Sequence, residues 1–290
     1  LFCSHTNYYG VEQQSPERRM KQRVYQGRRI ARKYCMPPRS VFHLMWRMIE
    51  GKFFLQTTRM KQAYVNALVN ARKKAGGMAQ LHSLCIMDNH VHMIGALTQD
   101  HHPMSHWLQA AHTSVAKLIN KTRNRQGPVA IGRPKNTLTE DDHHMLKLMF
   151  YLDYNPVRAG LVAEPGDYRW ATYNHYAHGE EVACDRVIVH PRCYKRLGNT
   201  PKKRQQKYRR LARDYALENG LPTRQQAEES PGYGNEVWSL AAAAMVSKVH
   251  LGTRAKIPSR RIIFGIQRAL KRKLEDLSSL DFKKPPPVPT

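Results

Sequence analysis

The chain has 290 residues and carries 48 Lys plus Arg against 22 Asp plus Glu, a formal net charge of +26 with histidines neutral. With 41% hydrophobic and 24% charged residues it can bury a core, which excludes a wholly disordered chain. The longest apolar stretch, 237–246, is shorter than the roughly 20 residues that span a bilayer, so an integral membrane protein is not expected. The charge favours a nucleic acid partner, because neutralised phosphates release counterions. A basic ribosomal-type or membrane-surface protein is the alternative.

Cysteine usage bears on the cellular compartment. The five cysteines, at positions 3, 35, 85, 184 and 193, form no C-x-x-C pair and are odd in number. This argues against a disulfide framework and against a four-cysteine zinc site, and it favours a reducing cytoplasm. No charged segment followed by an apolar one is visible near the start of the sequence, so secretion is not expected.

The first half of the chain shows alternating strand and helix patterns. Residues 1–39 are polar and basic and are predicted to form an arm. Alternating apolar positions in 40–55, around Glu50–Gly51, predict a β-hairpin of two strands. Helical spacing predicts a helix over 58–74. The segment 78–97 predicts two strands joined through a polar turn at 87–89.

The second half is predicted to be mainly helical. A helix is expected over 105–125, followed by a strand or loop over 129–138. Thr139 is predicted to cap a helix whose first turn is acidic. The helix is expected to run to about Tyr154, because Pro156 limits its regular continuation. Basic helical spacing continues in 201–213, a linker is expected over 228–234, and two further helices are expected over 237–251 and 259–277.

The tripeptide His90-Val91-His92 is the first chemical motif. In a strand, successive side chains alternate between faces, so both imidazoles point the same way. Two histidines on one face are suited to a divalent metal and leave coordination positions open, which favours catalysis over structural support. A pair of surface histidines in a strand is the alternative.

The second motif lies near the end of the helix that follows Thr139. Tyr151 and Asn155 are four residues apart, so they return to nearly the same helix face. A tyrosine hydroxyl and an amide oxygen can then approach one metal or one phosphate together. Alternatively, Tyr151 packs in the core and Asn155 begins the turn before Pro156.

Together, the two motifs resemble the REP-associated tyrosine transposases, a branch of the single-tyrosine HUH transposases with a His-hydrophobic-His motif and a downstream helix-borne tyrosine. The segment LCIMDNHVHMIGAL is similar to the family's strand-turn-strand block, and YLDYNPVRAGLV is similar to its signature Tyr-x-x-x-Asn-Pro-Val-Arg-Ala-Gly-Leu-Val. Downstream, DYRWATYNHY resembles the family's Tyr-Pro-Trp-Ser-Ser-Tyr block, and HPRCYKRLGNTPKKRQQKY resembles the segment after it. The resemblance covers about residues 40–213.

The resemblance implies an α+β fold of the HUH endonuclease, ferredoxin- or RRM-like type, in which an antiparallel β-sheet is flanked by helices. It implies a metal-dependent endonuclease and strand transferase acting on single-stranded or hairpin DNA, such as REP-like palindromes. Tyr151 would be the nucleophile that forms a 5′-phosphotyrosine, and His90, His92 and Asn155 would hold Mg²⁺ or Mn²⁺. A monomer and a homodimer are both compatible with this chemistry. The expected location is the bacterial cytoplasm, in association with the nucleoid.

The implied organisation has three parts. Residues 1–39 form the basic arm, 40–185 the catalytic domain, and 186–290 a basic, mainly helical C-terminal extension that binds DNA or a partner. Two other functions fit the same residues. One is a catalytically silent nucleic-acid-binding protein on the same fold. The other is a metal-dependent nuclease that uses water with His90 and His92 and forms no covalent adduct.

The motif region departs from the family pattern at a few positions. Asp88 stands where the family has proline, and we expect it to cap the turn rather than to approach the metal. Asp153 occupies the place of a histidine or acidic residue and lies off the face of Tyr151. Tyr154 offers a second hydroxyl, but the motif register favours Tyr151.

DNA contacts are predicted from the positions of cations, for which solvated surface charges are the alternative. The predicted set is Arg158, Arg133, Lys135, Lys202, Lys203, Arg204 and Arg209. Tryptophans can stack on unpaired bases, but they pack in cores more often. Of the four, at Trp46, Trp107, Trp170 and Trp238, we expect at least Trp107 and Trp170 to be buried.

Overall fold

The protein is described by a computed structural model. It describes residues 39–74, 79–98 and 102–218, together with Met36 and short pieces between 221 and 242. The predicted arm up to residue 35, the predicted helices over 237–251 and 259–277, and Trp238 lie outside the described residues, apart from single positions.

A five-stranded sheet forms the centre of the fold. Its strands are β1 (Val41–Arg47), β2 (Ala79–Ile86), β3 (His90–Leu97), β4 (Lys135–Thr139) and β5 (Gly232–Tyr233). Their order is β2-β3-β1-β4-β5. The first four pair antiparallel, and β5 adds a parallel edge to β4, so the sheet is mixed rather than purely antiparallel.

Helices flank the sheet, which confirms the α+β class and is consistent with an HUH-type fold. They are α1 (Thr58–Lys74), α2 (His102–Thr122), α3 (Asp142–Arg158), α4 (Tyr173–Ala177), α5 (Arg192–Lys195) and α6 (Pro201–Leu217). The predicted bounds of α1 are confirmed, and α2 lies three residues earlier than predicted. Within the described part of the chain, no helix is long and apolar enough to cross a membrane.

One face of the sheet is apolar and carries α1 and α2. The side chains of Phe42, Leu44 and Trp46 alternate along β1 and are all buried. The Trp46 ring stacks on His112 of α2 with ring centroids 3.9 Å apart. Tyr64 of α1 joins this group through a hydrogen bond between its hydroxyl and Nε2 of His112, 2.8 Å long. The burial predicted for Trp107 and Trp170 is also confirmed.

The opposite face of the sheet is polar, although much of it is buried. His43, His92 and Thr137 point to this face from three adjacent strands and are at most 1% exposed. Helix α3 packs over β2 and β3 on this side. Buried polar groups require hydrogen-bond partners to offset their desolvation, so this face indicates a functional region rather than ordinary core packing.

The predicted hairpin over 40–55 is wrong in its second half. After β1 the chain forms a 3₁₀ turn at Ile49–Gly51, in which Glu50 adopts φ 51°. The backbone amides that a second strand would have paired instead reach the β2–β3 turn. Met48 N donates to the carbonyl of Asn89 at 2.9 Å, and Leu55 N donates to that of Asp88 at 2.9 Å. Because these amides already donate to carbonyls of a distant turn, they need no partner in a neighbouring strand.

The start and end of α3 also differ from the prediction. Thr139 is the last residue of β4, and Asp141 is the N-cap, with its carboxylate accepting from the amide of His144 at 2.9 Å. The helix continues past Pro156 to Arg158. A proline near the end of a helix removes one hydrogen bond, and here the chain leaves the helix within one turn, through Gly160 at φ +68°.

The basic segment of the C-terminal region is helical, as predicted, and α6 extends to Leu217. Its buried residues Tyr208 and Ala212 belong to the same apolar core as α3. The predicted linker over 228–234 instead supplies β5. Among the described cysteines, Cys85, Cys184 and Cys193 are buried free thiols, in line with the absence of a disulfide framework.

Candidate metal and nucleophile site

The two histidines of the motif lie together at the start of β3. The rings of His90 and His92 are perpendicular, with centroids 4.7 Å apart. On β1, Arg47 lies opposite His90 and Met45 lies opposite His92. The strand alternation therefore places both imidazoles on the polar face, as the sequence predicts.

A chain of hydrogen bonds fixes the proton positions of His92. Nδ1 of His43 lies 2.6 Å from the carbonyl oxygen of Ala227, which can only accept, so this nitrogen is the donor. With neutral rings, Nε2 of His43 is then an acceptor, and it lies 2.9 Å from Nδ1 of His92. His92 must donate through Nδ1. Its Nε2 therefore presents a lone pair, as a metal ligand requires.

The same tautomer is favoured at His90. Nδ1 of His90 lies 2.6 Å from the side-chain oxygen of Asn89, an acceptor. The amide nitrogen of Asn89 donates to the carbonyl of Gly51 at 3.3 Å, and this fixes the orientation of the amide. Nδ1 of His90 thus donates, and its Nε2 also presents a lone pair. Both histidines are oriented by outer partners in the manner of metal ligands.

The protonation state of His92 supports ligand chemistry. Burial lowers the pKa of His92 well below its ordinary value, and the neighbouring charges of His90, His43 and Arg47 lower it further. A neutral imidazole is the form that binds a metal. Two imidazoles, each with its Nδ1 already hydrogen-bonded, fit a divalent cation that completes its coordination with oxygen ligands.

Tyr151 faces the histidines from the middle of α3. Its ring centroid lies 6.0 Å from that of His92 and 6.4 Å from that of His43, edge-on in both cases. The side chain is 2% exposed. The guanidinium of Arg158, two turns along the helix, lies over the Tyr151 ring at 5.1 Å. Arg158 is itself exposed, so it covers the tyrosine from the solvent side.

The amide of Asn155 bonds within its own helix. Its Nδ2 donates to the backbone carbonyl of Tyr151 at 2.9 Å, so it lies one turn from the tyrosine, as the four-residue spacing predicts. A role of Asn155 as a third metal ligand stays a prediction.

Asp153 points away from Tyr151 and is fully buried. Its Oδ2 accepts a hydrogen bond of 2.6 Å from the hydroxyl of Tyr208, which joins α3 to α6. Burial raises the pKa of Asp153 to about 8, partly offset by this hydrogen bond.

Asp88 has a role that the sequence did not suggest. Its carboxylate lies 2.5 Å from Nζ of Lys61, which is buried on α1 and also donates to the carbonyl of Gln56 at 3.1 Å. The ion pair joins the β2–β3 turn to α1. It thereby holds in place Asp88 and Asn89, the two residues that precede His90. A cation held in the core needs such a partner.

The predicted DNA-contacting cations fall into distinct places. Lys135 lies opposite Met45 on the polar face and is exposed. Arg133 lines a cavity of about 330 Å³ on the side of Trp46 and α2, away from Tyr151.

On α6, Lys202 and Lys203 are exposed, whereas two arginines turn inward. Arg204 donates to the carbonyl of Gly198 at 3.2 Å, and Arg209 donates to that of Ala177. DNA binding by any of these residues stays a prediction.

A second group that could hold a metal ion lies at the start of α3. The ligand atoms of Glu140, Asp141 and His144 all lie within 4.8 Å of one another. Glu140 also accepts from both the backbone amide and the side-chain amide of Asn235, at 2.6 and 2.7 Å. Hydrogen bonds from His144 lower the pKa of Asp141 and offset the opposing effect of its burial. These contacts form a helix N-cap, and the positive end of the helix dipole disfavours a cation here.

Three residues of the site were not found from the sequence. His43, Asn89 and Arg47 reach the histidine pair across strands or through a turn. Asn89 is adjacent to His90 in the sequence, so its role was open to prediction. His43 and Arg47 depend on the β1–β3 register, which no single segment encodes.

Comparisons with known proteins add one structural likeness. No protein-family model and no curated protein matches the chain. A solved structure of a REP-associated tyrosine transposase bound to a REP hairpin is similar, with a TM-score of 0.42 and 15% sequence identity. The likeness covers 57% of this chain and 91% of the other. We therefore base the functional proposal on the geometry of the site.

Proposed function

We propose that the protein is a metal-dependent endonuclease and strand transferase for single-stranded or hairpin DNA, with Tyr151 as its nucleophile. The strongest support is the position of Tyr151, whose ring centroid lies 6.0 Å from that of His92. His92 and His90 are oriented by hydrogen bonds to His43 and Asn89, so that each presents an Nε2 lone pair. A tyrosine beside a metal-binding pair, under a basic surface, suits phosphodiester chemistry.

His90 and His92 would hold Mg²⁺ or Mn²⁺, with Asn155 as the proposed third ligand. When bound, the metal would neutralise charge on a phosphate oxygen and polarise the phosphorus. The hydroxyl oxygen of Tyr151 forms a bond to phosphorus as the bond from phosphorus to the 3′-oxygen breaks. The tyrosine proton passes to water, and the 3′-oxygen takes up a proton from water as it leaves as a hydroxyl. The 5′-phosphotyrosine retains the bond energy for rejoining, so no ATP is needed.

The assignment favours Tyr151 over Tyr154. Tyr154 is three residues on and only half-buried, and its pKa is raised by burial and then by the charges of Glu164 and Asp153. Asp153 belongs to the side of α3 that meets α6. Tyr154 therefore lies in a different environment from the histidine pair.

Arg158 fits a role in binding the scissile phosphate. Its guanidinium covers Tyr151 and is exposed to solvent. A phosphate that approaches the tyrosine meets this cation first, and bidentate contact with phosphate is stronger than a cation–π contact. Exchange of one contact for the other would uncover the nucleophile as the substrate arrives.

The exposed cations of α6 supply the surface for a hairpin stem. Those that point outward are Lys202, Lys203, Lys207, Arg210 and Arg213. Phosphate contacts of this kind position DNA without reading its sequence. REP-like palindromes are the proposed substrates, and binding to them would place the protein at the nucleoid.

The test is incubation with labelled hairpin oligonucleotides and Mg²⁺ or Mn²⁺, followed by denaturing electrophoresis. We expect a covalent protein–DNA adduct that is lost in Tyr151→Phe and His90→Ala and retained in the matched control Tyr154→Phe. Cleavage by Tyr151→Phe without an adduct would instead indicate a nuclease that uses water. Binding with neither cleavage nor adduct would indicate a silent DNA-binding protein.

A further inference from the structure

Arg47 lies at the edge of the histidine pair. It is the last residue of β1 and lies opposite His90 on the polar face. Its Nε atom is buried and has no hydrogen-bond partner among the residues that the structure describes. In the same part of the chain, the ion pairs do not include Arg47. A half-buried guanidinium whose Nε lacks a partner, beside two histidines that could hold a cation, favours the approach of an anion.

An exposed apolar side chain continues the row beyond Arg47. The backbone amide of Ile131 donates to the carbonyl of Arg47 at 3.1 Å. The preceding residue, Ala130, pairs with Met48 and packs on the apolar core. Ile131 follows this bridge directly and is 57% exposed, so its side chain lies outside the core that Ala130 contacts. At strand spacing, the row from His90 through Arg47 to Ile131 is about 10 Å long.

A second exposed apolar side chain lies in the loop that is bonded to the β2–β3 turn. Phe53 is 57% exposed, in the loop after the 3₁₀ turn. This loop is attached to the β2–β3 turn at both ends, through Asn89 to Gly51 and through Leu55 to Asp88. Phe53 therefore adjoins the turn that leads into His90. Phe53 and Ile131 are thus two exposed apolar side chains close to the histidine pair and Arg47.

We propose that this row is the path of the single-stranded part of the substrate. Arg47 binds the phosphate next to the scissile one, and Phe53 and Ile131 pack against nucleobases on either side of it. Unpaired bases present flat apolar faces that can stack on an aromatic ring or pack against an aliphatic side chain. The bases of a duplex are already stacked on each other. The position of the scissile phosphate in this proposal rests on the proposed function; the binding surface itself does not.

The experiment compares two fluorescently labelled probes, a hairpin with a single-stranded extension and the same hairpin with a blunt end. Binding is measured by anisotropy without metal. Arg47→Gln is expected to weaken binding of the extended hairpin about tenfold and to leave the blunt hairpin unchanged. The charge-matched control is Arg123→Gln, at the exposed end of α2, which should affect both probes equally and slightly.

The apolar contacts are tested with 2-aminopurine placed at successive positions of the extension. Binding by the wild type is expected to change the fluorescence of this base at two positions, and Phe53→Ala and Ile131→Ala should each remove the change at one. The control is Leu161→Ala, at another exposed apolar side chain, which is 45% accessible. It should leave both signals intact.

The outcomes separate this inference from the proposed function. If Arg47→Gln and Arg123→Gln bind the extended hairpin equally well, the inference is wrong, even if the wild type forms the tyrosine adduct. If no adduct forms but Arg47→Gln selectively loses the extended hairpin, the binding path stands without the proposed chemistry. Thermal melting checks that each variant folds, and Arg47→Met, which keeps the length of the side chain without its charge, replaces Arg47→Gln if that variant does not fold.

Discussion

The carboxyl of Asp153 makes folding stability depend on pH in an unusual direction. Burial raises its pKa in the folded protein from 3.8 to about 8, whereas the unfolded chain ionises at the ordinary value. From about pH 4 to pH 8, the unfolded state has lost this proton and the folded state has kept it. Unfolding therefore becomes easier as the pH rises, by about 1.4 kcal/mol for each pH unit.

The substitution Asp153→Asn removes this dependence and retains the shape of the side chain. The amide oxygen can still accept the hydrogen bond from Tyr208, 2.6 Å long in the wild type. Between pH 5 and pH 7, the free energy of unfolding of the wild type should fall by about 3 kcal/mol relative to the variant. Urea unfolding followed by circular dichroism at pH 5, 6 and 7 measures this difference, and titration of the other groups cancels in it.

The matched control is Asp214→Asn, at a half-buried carboxyl on α6. It makes the same carboxyl-to-amide change on α6 while leaving the hydrogen bond between Tyr208 and Asp153 intact. Parallel stability profiles for Asp153→Asn and the wild type would show that Asp153 is ionised in the folded protein, which would refute the reasoning.

The remaining predictions concern the site and the basic helix. His43→Ala should weaken Mn²⁺ binding about 10- to 100-fold by calorimetry, because His92 loses the partner that sets its tautomer; unchanged affinity would exclude that role. Arg158→Ala should slow adduct formation while raising iodination of Tyr151 in the free protein, as mass spectrometry of the peptide would show. Arg209→Ala should lower the free energy of unfolding by about 1–2 kcal/mol, since the Ala177 carbonyl loses its donor. Lys207→Ala should leave stability unchanged and reduce the salt dependence of hairpin binding.

Local patterns explain what was predicted correctly. The period of two in β3 places His90 and His92 on one face, and the four-residue spacing on α3 brings Asn155 within a turn of Tyr151. These relations depend only on backbone geometry, so a single segment is enough to predict them. The resemblance of the motif to a known family supplied the roles, which local geometry alone does not contain.

Long-range pairing explains what was missed. The predicted second strand of the hairpin does not form, because the amides of Met48 and Leu55 donate to a turn that is distant in sequence. Strand β5 has two residues and forms only at the edge that β4 offers. On α6, both inward and outward cations have helical spacing, and only the neighbouring carbonyls decide which ones, such as Arg204 and Arg209, turn inward.

The chain of hydrogen bonds through His43 ends at Ala227, which is 184 positions later in the sequence. The last acceptor in this chain thus comes from a segment beyond α6. Removal of the chain after α6 would leave the histidines in place but would free both rings to exchange tautomers. Metal affinity would then report on the docking of the C-terminal segment, and any partner that displaces this segment would act on the site from a distance.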